Sequence, residues 1–175
     1  MEKLKEEFIK AEKIFDGKII KVHLDTVQLP NGKEATREVV DHPGAVAVVP
    51  ILKDGRIVLV RQYRYPIDSL TLEIPAGKLD LDESPDECVI RELREETGYE
   101  TKNIQKVTSI YTAPGFSNEI IHVYIARDLI LKEACPDEDE FINVEIYETE
   151  RIKAMINDGT IDDAKTLVGL LLAGV

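Results

Sequence analysis

Basic residues are scarce in this chain. Its 22 lysines and arginines stand against 34 aspartates and glutamates, a formal net charge of −12. No basic patch compensates, so such a surface repels nucleic-acid phosphates and anionic membranes. Cysteine is nearly absent too: Cys88 and Cys135 stand in no Cys-x-x-Cys pair and near no Cys/His cluster, which argues against a disulfide framework or a zinc site and leaves ordinary thiols. No apolar run approaches the roughly 20 residues that cross a bilayer. The charged start MEKLKEEFIKAEK lacks an apolar leader segment, and the expectation is a soluble, cytoplasmic protein. Internal repeats, low-complexity tracts and a helix-turn-helix segment are also missing.

What is present suits one core domain with an appended N-terminal element, since 175 residues lie within ordinary domain size. From about residue 13 to 42 the chain reads as extended, with KIIKVHLDTVQL and EATREVVDH on either side of a turn at Pro30–Gly32. So small a sheet is marginal alone and must pack on something, a second subunit being one choice. From Gly44 the composition changes. AVAVVPIL reads as a strand buried on both faces, KDGR as a turn, and IVLVRQYRY as the hairpin partner of that strand. LTLEIPAG, IQKVTSIYT, EIIHVYIARDL and INVEIY read as further strands. ETERIKAMINDG and DDAKTLVGLLLAG read as closing helices. Ser84 to Thr97 carries helix signals, with Ser84 as N-cap, Pro85 in the first position, acids in the first turn and Gly98 as the stop. Strands in mixed order with few helices indicate an α+β sandwich with a mixed sheet rather than a doubly wound fold.

The helix is unusually acidic. Glu92 and Glu96 lie four apart and share a face, with Glu95 beside that stripe. Like charges at this spacing cost an isolated helix a few tenths of a kcal/mol, and Arg91, four before Glu95, offsets part of it. Spacing alone leaves two readings open: a solvated charged face, or an oxygen-rich site for a hard cation.

Gly77, Glu83 and the run Arg91-Glu92-Leu93-Arg94-Glu95-Glu96-Thr97-Gly98-Tyr99 resemble the Nudix box, G-x5-E-x7-R-E-U-x-E-E-x-G-U, with Tyr99 an aromatic where the pattern prefers an aliphatic. The resemblance implies a loop–helix–loop laid on an α/β/α sandwich that binds Mg²⁺ or Mn²⁺ and hydrolyses nucleoside diphosphates linked to another moiety. Carried onto this chain, it implies Glu92 and Glu96 as metal ligands and Glu95 as a direct or water-mediated one. A tight turn at Gly77 would face the Ala76 carbonyl to the metal. Arg91 would orient the glutamates, and Glu83 would brace the loop unless it is an exposed loop acid.

The likeness extends beyond the box. VVDHPGAVAVVP, LVRQYRYP, LEIPAGKLD and YTAPGFSNE are similar to the ADP-ribose pyrophosphatase branch, and Pro114, sixteen residues after Gly98, matches the proline typical of it. This implies hydrolysis of ADP-ribose to AMP and ribose 5-phosphate. Other nucleoside diphosphate sugars, FAD, or a sensor that binds without cleaving are the alternatives. PDEDEF resembles the family's catalytic loop, with Glu138 as base and Glu140 as a metal or water contact, although Asp137 and Asp139 leave the register open. Arg64 would offer a fork to phosphate or ribose oxygens. Glu73, an acid in an apolar segment, would bond ribose or amide. Gly115 and Phe116 would line the terminal ribose, and Glu119 would reach a metal-bound water. Arg37 and Glu38 would serve the partner's site if subunits exchange the N-terminal sheet, or else are surface charges. The division expected is 1–43, a β-rich dimerisation element, and 44–175, the hydrolase domain.

Overall fold

The computed structural model describes residues 4–132 and 141–175. They form two compact units, Met1–Gly44 with Tyr111–Ile120, and Ala45–Ile110 with Ile121–Val175.

The first unit is an antiparallel sheet of β1 (Glu7–Asp16), β2 (Lys21–Gln28) and β3 (Glu34–Asp41), in that order. The expected hairpin turn joins β2 to β3, closed by Leu29 and Lys33 at 2.7 Å with Gly32 in the left-handed region. β1 starts six residues earlier than the sequence pattern indicates. Every residue of it is exposed, so no inward-facing alternation marks its beginning. Residues 111–120, which the linear division assigns to the 44–175 domain, pack with this first unit. Val40 N–H donates to the Phe116 carbonyl at 2.8 Å, and the Asn118 side chain accepts from His42 N–H and donates to Asp41. These bonds continue the edge of β3.

In the second unit, β4 (Ala45–Pro50) lies between β7 (Ala76–Lys78) and β10 (Ile120–Arg127), with β9 (Asn103–Tyr111) beyond β10. A second sheet has β5 (Ile57–Arg64) between β6 (Ser69–Glu73) and β12 (Asn143–Tyr147), and β8 (Tyr99–Glu100) pairs with β11 (Ile130–Leu131). The expected β4–β5 hairpin is therefore corrected. The turn forms, with Leu52 N–H donating to the Arg56 carbonyl at 2.8 Å, but the strands enter different sheets and only an Ile51–Ile57 bridge joins them. β4 already has both edges occupied, antiparallel by β7 and parallel by β10, as befits a strand with both faces buried. LTLEIPAG likewise divides into β6 and β7, because Pro75 between them has no N–H to give a ladder; its carbonyl accepts from Val48 instead.

Alternation along β4 and β10 builds two cores. Ala45, Ala47, Val49, Val123 and Ile125 face one core, closed by Ile152 and Met155 of α2 (Thr149–Asn157) and Leu170 of α3 (Ala164–Ala173). Val46, Val48, Tyr124 and Ala126 face the other, closed by Cys88, Val89 and Leu93 of α1 (Pro85–Thr97). Helices thus cover both faces of the sheets. Ser84 caps α1 through a reciprocal pair: its hydroxyl accepts from Glu87 N–H at 3.3 Å, while the Glu87 carboxylate accepts from Ser84 N–H at 3.1 Å. Pro85 follows at the first position, and Gly98 ends the helix with φ 72°. No helix among the described residues is long and apolar enough to cross a membrane. Replacing Ser84 by Ala is expected to cost about 1 kcal/mol, read as a lower urea midpoint at unchanged slope; an unchanged midpoint would remove the cap from this account.

Candidate metal and substrate site

Two stripes on α1 are buried. Val89, Leu93 and Thr97 enter the core, and Cys88, Glu92 and Glu96, one helical turn apart, form the second stripe. Two buried carboxylates on one helix require compensation. Glu96 Oε2 accepts from Ala76 N–H at 3.0 Å. The Glu92 carboxylate occupies the space a side chain would fill at Gly77, where any Cβ would collide with it. The absent side chain lets helix and turn meet.

Arg91 joins the acids. Its Nε and Nη2 donate to the two oxygens of Glu83 at 2.8 and 2.9 Å, and its Nη1 donates to Glu92 at 2.7 Å and to Glu95 at 2.8 Å. Glu83 is therefore a partly buried brace that also accepts from Asp80 N–H at 3.1 Å. The Arg91 bonds hold its carboxyl down at about 2, against a modest opposing effect of burial. Burial pushes the Cys88 thiol up to about 12, which leaves it inert as a nucleophile.

Arg64 and Glu73, each expected to face substrate, are bonded to each other by a two-point fork at 2.8 and 2.7 Å. Glu73 is also held by the Thr71 hydroxyl and by the ammonium of Lys165. Burial pushes the Glu73 carboxyl up, but the Arg64 and Lys165 partners outweigh it and hold the group at about 2. Lys165 and Thr71 were not indicated by the sequence; the one signal was a lysine inside the apolar segment DDAKTLVGLLLAG.

In the first unit, Glu38 and Phe116 line a cavity of about 340 Å³ with Ile14, Val22, Leu24 and Val40. Arg37 is paired with Glu6. Glu119 accepts from the Thr112 hydroxyl and lies 3.6 Å from His42 Nδ1, while Gly115 has open space about its α-carbon. His23 lies between Asp25 at 2.6 Å and Asp41 at 3.2 Å, a structural placement. Glu138 and Glu140 lie outside the described residues.

Among the described residues no three His, Cys, Asp or Glu side chains converge closely enough to hold a metal by themselves. Glu92 and Glu96 beside the Ala76–Gly77 backbone nevertheless offer hard oxygen donors held in place from several sides. Mg²⁺ commonly takes one or two carboxylates and completes its shell with substrate phosphates and water. The residues present fit such an ion.

The family model described as NUDIX domain matches residues 41–168, and that described as nucleoside diphosphate sugar hydrolase N-terminal domain matches residues 6–40. An ADP-ribose pyrophosphatase of Bacillus subtilis is 45% identical over 95% of this chain and 91% of its own length. A methanol dehydrogenase activator of Bacillus methanolicus is 46% identical over 94% of this chain and 90% of its own. A crystal structure of an ADP compounds hydrolase superposes with a TM-score of 0.85 over 97% of this chain and 92% of that one; at 23% identity this is a likeness of fold.

The two depressed carboxyls make stability depend on pH with a definite sign. Both lie below their ordinary value near 4.5, so the unfolded chain binds more protons between the two values. Their contribution is fully present above about pH 4.5 and disappears as pH falls toward about 2. Arg91→Met is expected to be less stable than wild type above about pH 4.5, with the gap closing as pH falls toward 2. Urea titrations across that range check it, and a gap independent of pH would remove the Glu83–Arg91 linkage.

Proposed function

The chain belongs to the Nudix family, and from that premise we propose that it hydrolyses the pyrophosphate of ADP-ribose, with a divalent cation, to AMP and ribose 5-phosphate. The observation that carries this reading is the Arg91 fork, which fixes Glu83, Glu92 and Glu95 while Glu92 and Glu96 are buried against Gly77 and Ala76. The similarity to the Bacillus subtilis pyrophosphatase supports the choice of substrate.

In this reading Glu92, Glu96 and the Ala76 carbonyl hold Mg²⁺ or Mn²⁺, with Glu95 as a direct or water-mediated contact and Glu140 as a further one. When bound, the cation neutralises the diphosphate and makes water a better nucleophile at neutral pH. Glu83 and Arg91 keep the glutamates at a fixed spacing, which removes reorganisation from the reaction. Glu138 is the proposed base. Arg64, oriented by Glu73, offers its outer edge to phosphate or ribose oxygens. Gly115, Phe116 and Glu119 form a second group of substrate contacts, and Arg37 and Glu38 serve the partner's site through exchange of the N-terminal sheet. The apolar residues Phe8, Ile14 and Phe15, exposed on β1, support a homodimer formed through the N-terminal sheet, with 1–43 as the dimerisation element and 44–175 as the hydrolase domain. A cytoplasmic location accords with the substrate.

Glu96→Gln is expected to lower turnover on the order of 10³-fold, since charge stabilisation by the cation is worth several kcal/mol, while circular dichroism stays native. Near-normal hydrolysis by that variant would remove Glu96 from the metal site. Assayed in parallel with ADP-glucose, GDP-mannose and FAD in Mg²⁺, ADP-ribose is expected to give the highest kcat/KM. Tight ADP-ribose binding without release of AMP would replace the enzyme by a sensor.

A further inference from the structure

A buried lysine in the first turn of a helix is badly placed. Burial removes its hydration, the helix N-terminus carries partial positive charge, and ordering the long side chain costs entropy. Lys165, the second residue of α3, has a side chain only 10% exposed. Its ammonium donates to Glu73 Oε2 and lies 3.1 Å from Asp163, the N-cap of the same helix. Glu73, with a side chain 2% exposed, passes the connection to Arg64, whose side chain is 41% exposed. Arg64, Glu73, Lys165 and Asp163 thus form a row of alternating charge whose middle members, Glu73 and Lys165, are buried.

The geometry holds Glu73 from two elements. Arg64 grips it from β5 through Nε and Nη2. From α3, Lys165 grips the carboxylate while the Thr166 hydroxyl accepts from Ile74 N–H, the next backbone group, at 3.0 Å. An Arg–carboxylate fork held at one side only can swing as a unit; a second cation from another element removes that freedom. The fork uses Nε and one N–H of Nη2, so among the described residues Nη1 is left outside it and can donate to an outside oxygen. The carboxylate of Glu96 adds to the negative field at the Arg64 guanidinium, after the larger effect of Glu73.

We propose that Lys165 is a positioning residue: its buried ammonium fixes the Glu73 carboxylate, which in turn fixes the direction in which the Arg64 guanidinium meets the substrate. The proposal rests on the reading of Arg64 as a substrate contact, and it makes the C-terminal helix a determinant of substrate affinity.

The test compares Lys165→Met, Lys165→Arg and Arg64→Lys with wild type by two readouts. The first is KM against kcat for ADP-ribose in Mg²⁺. The second, which needs no substrate, is the ¹⁵N–¹H signal of Arg64 Nε, sharp and slowly exchanging while that group donates to Glu73. Lys165→Met is expected to raise KM about tenfold with kcat within about twofold, and to broaden or abolish the Arg64 signal. Lys165→Arg is expected to restore both. Should the methionine variant not fold, Lys165→Ala, which also removes the ammonium donor, is read in the same way. A wild-type KM and a wild-type Arg64 signal in folded Lys165→Met would overturn the proposal, as would a fall in kcat alone with the signal intact. Arg64→Lys separates the two failures. An unchanged KM there removes Arg64 as a substrate contact, whereas a raised KM there with an unchanged KM in Lys165→Met removes Lys165.

Discussion

The guanidinium of Arg91 is the interaction on which the acidic site depends. Glu92, Glu95 and Glu96 repel one another along α1, and the last two lie toward its C-terminal end, where the helix dipole disfavours negative charge. Glu92 and Glu96 are also buried, which adds a desolvation cost. Against this, one planar fork supplies four hydrogen bonds to Glu83, Glu92 and Glu95. A lysine in its place would give a point charge without that planar reach. The arginine sets the spacing of the carboxylates and simultaneously ties the helix to the loop before it through Glu83.

That spacing is useful only because the helix can approach the Ala76–Gly77 turn. The strand β7 is three residues long and lies on the outer edge of β4, so its backbone is available to a neighbour on the α1 side. At Gly77 the Glu92 carboxylate fills the room of a side chain, and at Ala76 the N–H bonds Glu96. The capping pair of Ser84 and Glu87 fixes where α1 begins, and so which of its residues meet that turn. Local chain chemistry, a close backbone approach and buried charge are here parts of one arrangement.

Features carried by neighbouring residues were legible in the sequence. Ser84, Pro85 and Gly98 mark the ends of α1 because caps are chosen by the residues beside them, and the box motif marks Arg91 and its acids because all lie within one helix and one loop. Partner choice across the chain was not legible. The KDGR turn is a true turn, yet β4 pairs with β7 and with β10, strands far along the chain, and not with the strand that follows the turn. The bond of Lys165 to Glu73 spans 92 residues, and no local pattern records it. Arg37 and Glu6 meet across the sheet because β1 begins earlier than its exposed residues reveal.

The two charge networks of the second unit differ in balance, and the difference bears on how a diphosphate is held. Around Arg91 one cation faces three carboxylates, Glu83, Glu92 and Glu95, with Glu96 buried on the same helix, whereas Arg64 and Lys165 together match Glu73 and Asp163. The first network keeps an excess of negative charge at a fixed geometry, which favours a divalent cation and would repel a bare phosphate. In the second, the internal charges cancel, so the outer edge of Arg64 meets an anion without a compensating repulsion from Glu73. In the proposed reading, a substrate with two adjacent phosphates and a sugar beyond them matches a surface divided in this way, its phosphates reached through the cation and its flanking oxygens by Arg64. On that reading a net charge of −12 is compatible with a polyanionic substrate, because the negative excess lies where a cation would intervene and the charges cancel where contact would be direct.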